Sequence, residues 1–297
     1  MDQQRIGMWL GVGAYLIWGL SPIFWNVVND VAAGELLAHR VVWAVPILLL
    51  IVAAQRGWTR LRAAYSVRRT VMLTLVGAVM IVTNWGVFLW AVLNERIVEV
   101  SLGYFMNPLV SVALGVVVLR ERLRPAQQLA VAIASVGVVG MTLLVGVVPW
   151  VSLTLACSFG VYGLLKKLDG SAPALLGLLG ETTVLAIPGL AYLALLASGG
   201  EGNFVRSAPV ALWFVAAGLM TVVPLWMFGA GVQRIPLSTM GPLQYIAPTM
   251  QLVVGVVLFG EDLVSGQAFG FVMVWVALAV FARDQLVTAR RLQTAPA

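Results

Sequence analysis

Three ionisable side chains lie inside long hydrophobic stretches of this sequence, and they are the residues best placed to do chemistry there. His39 and Arg40 are adjacent in one stretch, and Glu181 lies in another. An ionised side chain at the centre of a membrane helix costs about 2.5–3.5 kcal/mol on insertion scales. One interpretation is therefore functional: gating, recognition of substrate charge, or proton exchange by Glu181 with His39 assisting.

The alternative interpretation of these residues is structural. The long Arg40 side chain would extend its guanidinium towards lipid headgroups, and Glu181 would pair with a basic residue of a nearby loop. Histidine changes charge nearest to neutral pH, which favours a functional role for His39. The sequence leaves both interpretations open.

The composition is that of a protein embedded in a membrane. Hydrophobic residues make up 61% of the 297 residues and charged residues 10%, and the mean hydropathy is +0.98. A soluble domain carries about 25% charged residues. The chain is therefore predicted to be an integral membrane protein without a separate soluble domain.

Ten hydrophobic stretches are long enough to cross a bilayer, which takes about 20 residues in a helix. None shows the short alternating segments of a β-barrel. The predicted spans are 6–28, 35–55, 70–93, 98–119, 127–146, 149–166, 174–197, 210–231, 238–259 and 266–286.

Basic residues occupy alternate gaps between these spans. The gap between spans 2 and 3 carries five arginines, whereas the opposite gaps carry only Arg96 and Arg206. Basic loops stay in the cytoplasm, so both termini are predicted to be cytoplasmic and the protein to lie in the cytoplasmic membrane. The net charge of +6 then reflects loops that face anionic lipid headgroups, and no nucleic-acid partner is expected. Five tryptophans near span ends are predicted to form an interfacial belt: Trp9, Trp25, Trp58, Trp150 and Trp213.

The two halves of the chain share residues at a constant spacing. Around spans 4 and 9 the matched residues are 140 positions apart: Pro108, Gly115, Glu121 and Leu123 recur as Pro248, Gly255, Glu261 and Leu263. Each half has five spans, an odd number, so the second half enters the membrane inverted, as in secondary transporters. The predicted fold is an all-α integral membrane protein of ten transmembrane helices. They form two inverted five-helix repeats, residues 1–146 and 147–297.

Polar and aromatic residues near the middle of several spans are candidates for a substrate cavity between the repeats. Prolines at related depths of spans 4 and 9, Pro108 and Pro248, are predicted to break these helices and to free backbone carbonyls. Such carbonyls are tolerated at this depth only against protein or a water-filled cavity; the alternative is a packed kink. The cavity candidates are Trp18, Asn84, Trp85, Tyr104, Asn107, Tyr162, Gln244 and Tyr245.

Several motifs along the chain carry a family resemblance. They are AYLIWGLSP at 14–22, HRVVW at 39–43, NW at 84–85, LWAV at 89–92, SLGYFMNPL at 101–109, ET at 181–182, VP at 223–224 and QYIAP at 244–248. With them the chain resembles the EamA branch of the drug/metabolite transporter superfamily, and more narrowly the RarD permeases. The resemblance implies a ten-helix permease with both termini inside that moves a small metabolite or drug-like molecule.

Two other classes of function compete with a secondary transporter that works by alternating access. An intramembrane enzyme lacks support, because the sequence has one histidine and neither HExxH nor Gly-x-Ser-x-Gly. No metal site or cofactor is expected either, since His39 and Cys157 stand alone. A passive facilitator or channel stays open as the alternative. Glycines four apart, Gly7 with Gly11 and Gly266 with Gly270, allow close helix packing within the molecule or a dimer seam, so we expect a monomer or weak homodimer.

Overall fold

The computed structural model describes residues 3–28, 31–94, 96–145, 150–170, 172–260 and 265–294. These residues form α-helices joined by short loops and one short 3-10 helix at Asn26–Val28, with no strand among them. The helices are α1 (Gln3–Trp25), α2 (Ala33–Ala54), α3 (Trp58–Tyr65), α4 (Arg68–Leu93), α5 (Ile97–Val117), α6 (Pro125–Val145), α7 (Trp150–Leu168), α8 (Ala174–Ser198), α9 (Ala208–Val232), α10 (Leu237–Leu243), α11 (Ile246–Leu258) and α12 (Ser265–Thr294).

Each predicted span coincides with helix to within a few residues, except that α12 continues to Thr294. In the described ranges, nine helical segments are long and apolar enough to cross a membrane, and α10 with α11 counts as one of them. The remaining predicted span lies in α6, whose apolar part is the shorter segment Pro125–Gly140. The all-α, multi-pass prediction is confirmed at this level.

Helix α3 was not predicted, because it lies in the polar loop between spans 2 and 3. At its end the Tyr65 hydroxyl donates a hydrogen bond to the Leu176 carbonyl at 3.0 Å, which ties this loop to α8. Burial raises the pKa of Tyr65, so the hydroxyl keeps its proton and stays a donor. A side chain at Gly180 would collide with this hydroxyl, so glycine makes the contact sterically possible.

Span 9 forms two helices rather than one, and Pro248 explains where the division falls. Pro248 has no N–H to bond the Gln244 carbonyl four residues earlier, and the chain passes through tighter bonds, such as Ala247 N to Gln244 O at 3.2 Å. Helix α10 therefore ends at Leu243, one turn before Pro248. The predicted break at Pro108 does not occur, since α5 continues through this residue. One missing hydrogen bond within a long, well-packed membrane helix is not enough to end it.

Helices from the two halves of the chain pack against each other throughout. Helix α1 packs on α9 and on α10–α11, and α7 packs on α4 and on α5. Helix α2 contacts α8 and α9, while α8 also contacts α4. Helix α5 lies along α10, and α6 lies along α12.

Four buried clusters hold the described part of the bundle together, and two of them are large. The larger joins α1, α2, α4 and α7–α10 around residues such as Leu48, Leu178 and Phe228. The second joins α5, α6 and α12 and includes Phe105 and Phe271. Large apolar side chains also cover the outside of the bundle, including Leu143, which is 76% exposed. An apolar exterior of this kind suits hydrocarbon rather than water.

Candidate substrate site

Arg40 is held in a defined orientation within the helix bundle. It lies two turns into α2, and its Nε donates a hydrogen bond to Thr221 Oγ1 on α9 at 3.0 Å. Thr221 is fully buried and donates its own hydroxyl proton to the Ala217 carbonyl at 3.0 Å. Because the threonine proton is used in this way, its oxygen is free to accept from Arg40 and fix the guanidinium plane.

Aromatic side chains surround the Arg40 guanidinium. Its central carbon lies 4.6 Å from the centroid of the Trp85 ring and 5.4 Å from that of Trp25, and it interacts electrostatically with Tyr104. We name Arg40, Trp25, Trp85, Tyr104 and Thr221 the Arg40 cluster. It brings together α1, α2, α4, α5 and α9, and so joins both halves of the chain.

The Arg40 cluster decides against one of the alternatives left open by the sequence. A guanidinium that extended into the headgroup region would not be bonded to a fully buried threonine of α9. The ring of Trp25, which was predicted to be part of the interfacial belt, lies over this guanidinium. Arg40, Trp85 and Tyr104 are all partly exposed, whereas Thr221, which holds the guanidinium, is fully buried.

A second aromatic group lies between α1, α7 and α9. Trp18 and Tyr162, both predicted cavity residues, belong to it. Phe228 stacks on Tyr162 with ring centroids 6.1 Å apart and lies 6.0 Å from Trp18. Tyr15 and Phe159 complete the group, which we name the aromatic cluster. Its rings fill the space between these three helices.

Glu181 forms a buried ion pair. Its Oε1 lies 2.7 Å from Lys166 Nζ, and the two side chains are 4% and 6% exposed. The Tyr162 hydroxyl donates to the other carboxylate oxygen at 3.0 Å. A side chain at Gly77 of α4 would come within 2.6 Å of Oε1, so α4 closes over the carboxylate. This pairing matches the structural alternative for Glu181, although the partner lies on α7 and not in a loop.

His39 occupies a different environment from its neighbour Arg40. Its ring stacks on Phe214 at a centroid distance of 4.0 Å, and its Nε2 lies 3.8 Å from Glu35. The Glu35 carboxylate accepts hydrogen bonds from the backbone and side-chain nitrogens of Asn203 at 2.6 and 2.7 Å. These contacts join α2 to the loop between α8 and α9.

The polar residues of spans 3, 4 and 9 are distributed over several contacts. Asn84 donates to the Leu155 carbonyl and to Ser158 Oγ, which links α4 to α7. Gln244 donates to Ser111 Oγ at 2.7 Å. The Tyr245 hydroxyl donates to a backbone carbonyl of α5 at 3.1 Å, and the tyrosine lines a small apolar pocket between α5, α6 and α12.

Asn107 lies one turn beyond Tyr104 on the same face of α5. Its side-chain oxygen is buried and receives no hydrogen bond from the described part of the chain. Two of the eight predicted cavity residues, Trp85 and Tyr104, thus belong to the Arg40 cluster. A third, Asn107, lies one helical turn from Tyr104 on α5.

A further carboxylate was seen in the sequence only as a repeat marker. Glu121 follows α5, and its two oxygens accept hydrogen bonds from the backbone nitrogens of Leu237 and Ser238 at 2.8 Å each. Lys167 donates to the Ile235 carbonyl beside them at 2.6 Å. Glu121 therefore caps the start of α10 and connects the two halves at the face opposite to Glu35. Its counterpart Glu261 lies outside the described residues.

Comparison with known proteins gives consistent relatives. The EamA-like transporter family matches residues 5–143. "Protein RarD" of Streptomyces exfoliatus is 44% identical over 291 residues, covering 98% of this chain and 92% of that protein. "Protein RarD" of Escherichia coli is 38% identical, covering 97% and 98%. A protein of Pseudomonas aeruginosa described as an uncharacterized transporter is 43% identical and covers 97% of both chains.

A solved crystal structure shares the fold. It has a TM-score of 0.70 and covers 93% of this chain and 96% of its own, at 20% sequence identity. The chain belongs to the EamA-like transporter family, among the RarD proteins, and is a multi-pass membrane transporter.

Proposed function

We propose that this protein is a secondary transporter that moves a small metabolite or drug-like molecule across the cytoplasmic membrane by alternating access. The proposal includes two inverted five-helix repeats, residues 1–146 and 147–297, with both termini in the cytoplasm. The Arg40 cluster is the proposed substrate site, because it joins helices of both halves around a charged group that is only partly buried.

The observation that carries this proposal is the exchange symmetry of the helix packing. Let α1, α2, α4, α5 and α6 correspond to α7, α8, α9, α10–α11 and α12. When each helix is replaced by its counterpart, the contact between α1 and α9 corresponds to the contact between α7 and α4, which is also observed. In the same way, the contact between α5 and α7 corresponds to the observed contact between α10–α11 and α1. The contacts of α2 with α8 and of α6 with α12 each join a helix to its own counterpart, so the exchange leaves them unchanged. Two halves that can exchange their contacts can also exchange which side of the membrane is open.

Two carboxylate junctions support a rocking motion between the halves. Glu35 bonds the loop after α8 at one face, and Glu121 bonds the start of α10 at the other. Both junctions consist of a few hydrogen bonds to backbone or amide groups. Such contacts break and form at modest cost where water can replace the partner, which suits gates.

Proton coupling at Glu181 is a hypothesis within this proposal, and anchoring of α8 by Lys166 is its alternative. Lys166 and Tyr162 contact the carboxylate directly, and Asp169 and Tyr65 also interact with it electrostatically. Glu181→Gln removes the titratable group while keeping its shape. Coupling predicts that this variant exchanges substrate but no longer accumulates it in a proton gradient. If Glu181→Gln keeps full gradient-driven accumulation, proton coupling at this residue is excluded and anchoring of α8 is the remaining role.

The transport proposal is tested in two steps. Inside-out vesicles containing the protein are incubated with a metabolite mixture, with and without a proton gradient, and the internal contents are compared by mass spectrometry with vesicles lacking it. A compound taken up is then used in proteoliposomes for counterflow, in which unlabelled internal substrate accelerates the entry of labelled substrate.

Acceleration by internal substrate is expected for an alternating-access carrier. A passive channel passes substrate without this acceleration, because its pathway is open to both sides at once. Uptake that internal substrate does not accelerate would therefore contradict the carrier hypothesis and support a passive facilitator or channel. A protein that takes up nothing from the mixture would contradict the proposed site and mechanism together.

A further inference from the structure

The Arg40 guanidinium has hydrogen-bonding capacity that the described residues do not use. An arginine carries five N–H donors, and the one on Nε is bonded to Thr221. The other four lie on the two terminal nitrogens. They form a planar fork that matches the oxygens of a carboxylate or phosphate, and Thr221 fixes the direction in which this fork points.

Arg40 also differs from the other cations of the bundle in its charge balance. Lys166 is paired with Glu181 at 2.7 Å, and Arg96 with Glu99 at 3.1 Å. No carboxylate in the described part of the chain lies within ion-pair distance of Arg40. Its aromatic neighbours compensate part of the charge through cation–π contacts, and a bound anion would balance the rest.

The surfaces beside the fork indicate the body of such an anion. The Arg40 guanidinium lies over the indole rings of Trp85 and Trp25, and Tyr104 is close enough to interact with it electrostatically, so aromatic rings border the fork. Flat apolar or aromatic groups pack well on faces of this kind. One turn beyond Tyr104, Asn107 has a buried oxygen that the described residues leave without a donor, which suits a hydroxyl or amine on the same ligand.

We propose that the substrate is an organic anion whose carboxylate or phosphate binds the terminal nitrogens of Arg40, with its apolar part against Trp85. This inference rests on the proposed transport function, since it names the class of molecule carried by the same site. A phospholipid headgroup offers the same anionic oxygens, so the test must separate a soluble anion from a lipid.

The test is a binding titration of the full chain, purified in a phosphate-free maltoside detergent and followed by tryptophan fluorescence. Trp25 and Trp85 flank the site and report on its occupancy. The anionic probes are benzoate and phenyl phosphate, and their neutral counterparts are benzamide and benzyl alcohol. Dihexanoyl phosphatidylglycerol represents the lipid source.

We expect saturable binding of at least one anionic probe and binding at least tenfold weaker for its neutral counterpart. Arg40→Gln should weaken anion binding by about tenfold to a hundredfold, which is the range for losing charge-assisted hydrogen bonds. Thr221→Val keeps the charge but frees the fork, so it should bind the anion more weakly than the parent and more tightly than Arg40→Gln. If Arg40→Gln does not fold, Thr221→Val supplies the decisive comparison.

Arg96→Gln is the matched control. Arg96 also lies over a tryptophan, at 5.4 Å from the Trp90 ring, but it has its own carboxylate partner in Glu99. This variant should bind the anions like the parent.

Equal binding of neutral and anionic probes, anion binding unaffected by both Arg40→Gln and Thr221→Val, or no saturable anion binding would each overturn the inference. A tryptophan fluorescence response to the short-chain lipid and to none of the soluble anions would contradict the inference and indicate a lipid site. Successful counterflow with a neutral substrate would show that the transport function stands and only the substrate class is wrong.

Discussion

The buried pair between Lys166 and Glu181 makes a prediction whose size can be worked from the structure. Two unit charges 2.7 Å apart in an effective dielectric of about 20 attract by about 6 kcal/mol. Desolvation of both groups offsets most of this attraction, so the intact pair contributes little net stability. Removing one partner leaves the other charge buried, which costs about 3–5 kcal/mol. Lys166→Met should therefore destabilise the protein by about that amount.

The neighbouring contacts supply a graded series. Tyr162→Phe removes one donor to the carboxylate but leaves the ion pair, so the expected loss is about 1.5–3 kcal/mol. The double variant Lys166→Met with Glu181→Leu removes both charges and should recover most of the stability lost in Lys166→Met. Lys167→Met is the matched control, because this lysine donates its hydrogen bond to the Ile235 carbonyl and not to a carboxylate. This variant should lose less unfolding free energy than Lys166→Met.

The measurement is the free energy of unfolding in mixed micelles titrated with denaturing detergent, combined as a double-mutant cycle. A coupling energy of several kcal/mol between positions 166 and 181 is expected. If Lys166→Met is no less stable than Lys167→Met, or if the double variant is as unstable as the sum of the single variants, the pairing described here is wrong.

Three further predictions concern orientation and the contacts between halves. In a background without Cys157, a cysteine at Glu201 should react with an impermeant maleimide added to intact cells and one at Arg62 should not; the reverse pattern would invert the proposed topology. Gln244→Ala should lower the transport rate of a substrate found by the vesicle screen, while costing only about 1 kcal/mol of stability for its buried bond to α5. A parental rate would make Gln244 purely structural. Glu121→Ala should reduce unfolding free energy by about 1.5–3 kcal/mol by exposing the start of α10, and unchanged stability would contradict the cap.

The sequence already contained the positions of the membrane helices. Hydropathy is a property of each stretch by itself, and a stretch of about 20 apolar residues can satisfy its backbone in a bilayer only as a helix. The ten predicted spans therefore agree with helices to within a few residues, with α12 extending further. Helix α3 was missed because its eight residues carry no hydrophobic run. A break was predicted at both Pro108 and Pro248, but the chain divides only beside Pro248, because proline ends some membrane helices and leaves others, such as α5, continuous.

The partners of the polar residues were decided only by the tertiary structure. Arg40 and Thr221 are 181 positions apart in the chain, and no local pattern relates them. Trp25 was predicted to lie at the interface because it ends a span, and only the helix packing shows that its ring lies over the Arg40 guanidinium. Sequence shows which polar groups enter the membrane, because their insertion is costly one residue at a time. Which of them meet depends on the rotation and crossing of whole helices, and these are set by contacts summed along every interface of the bundle.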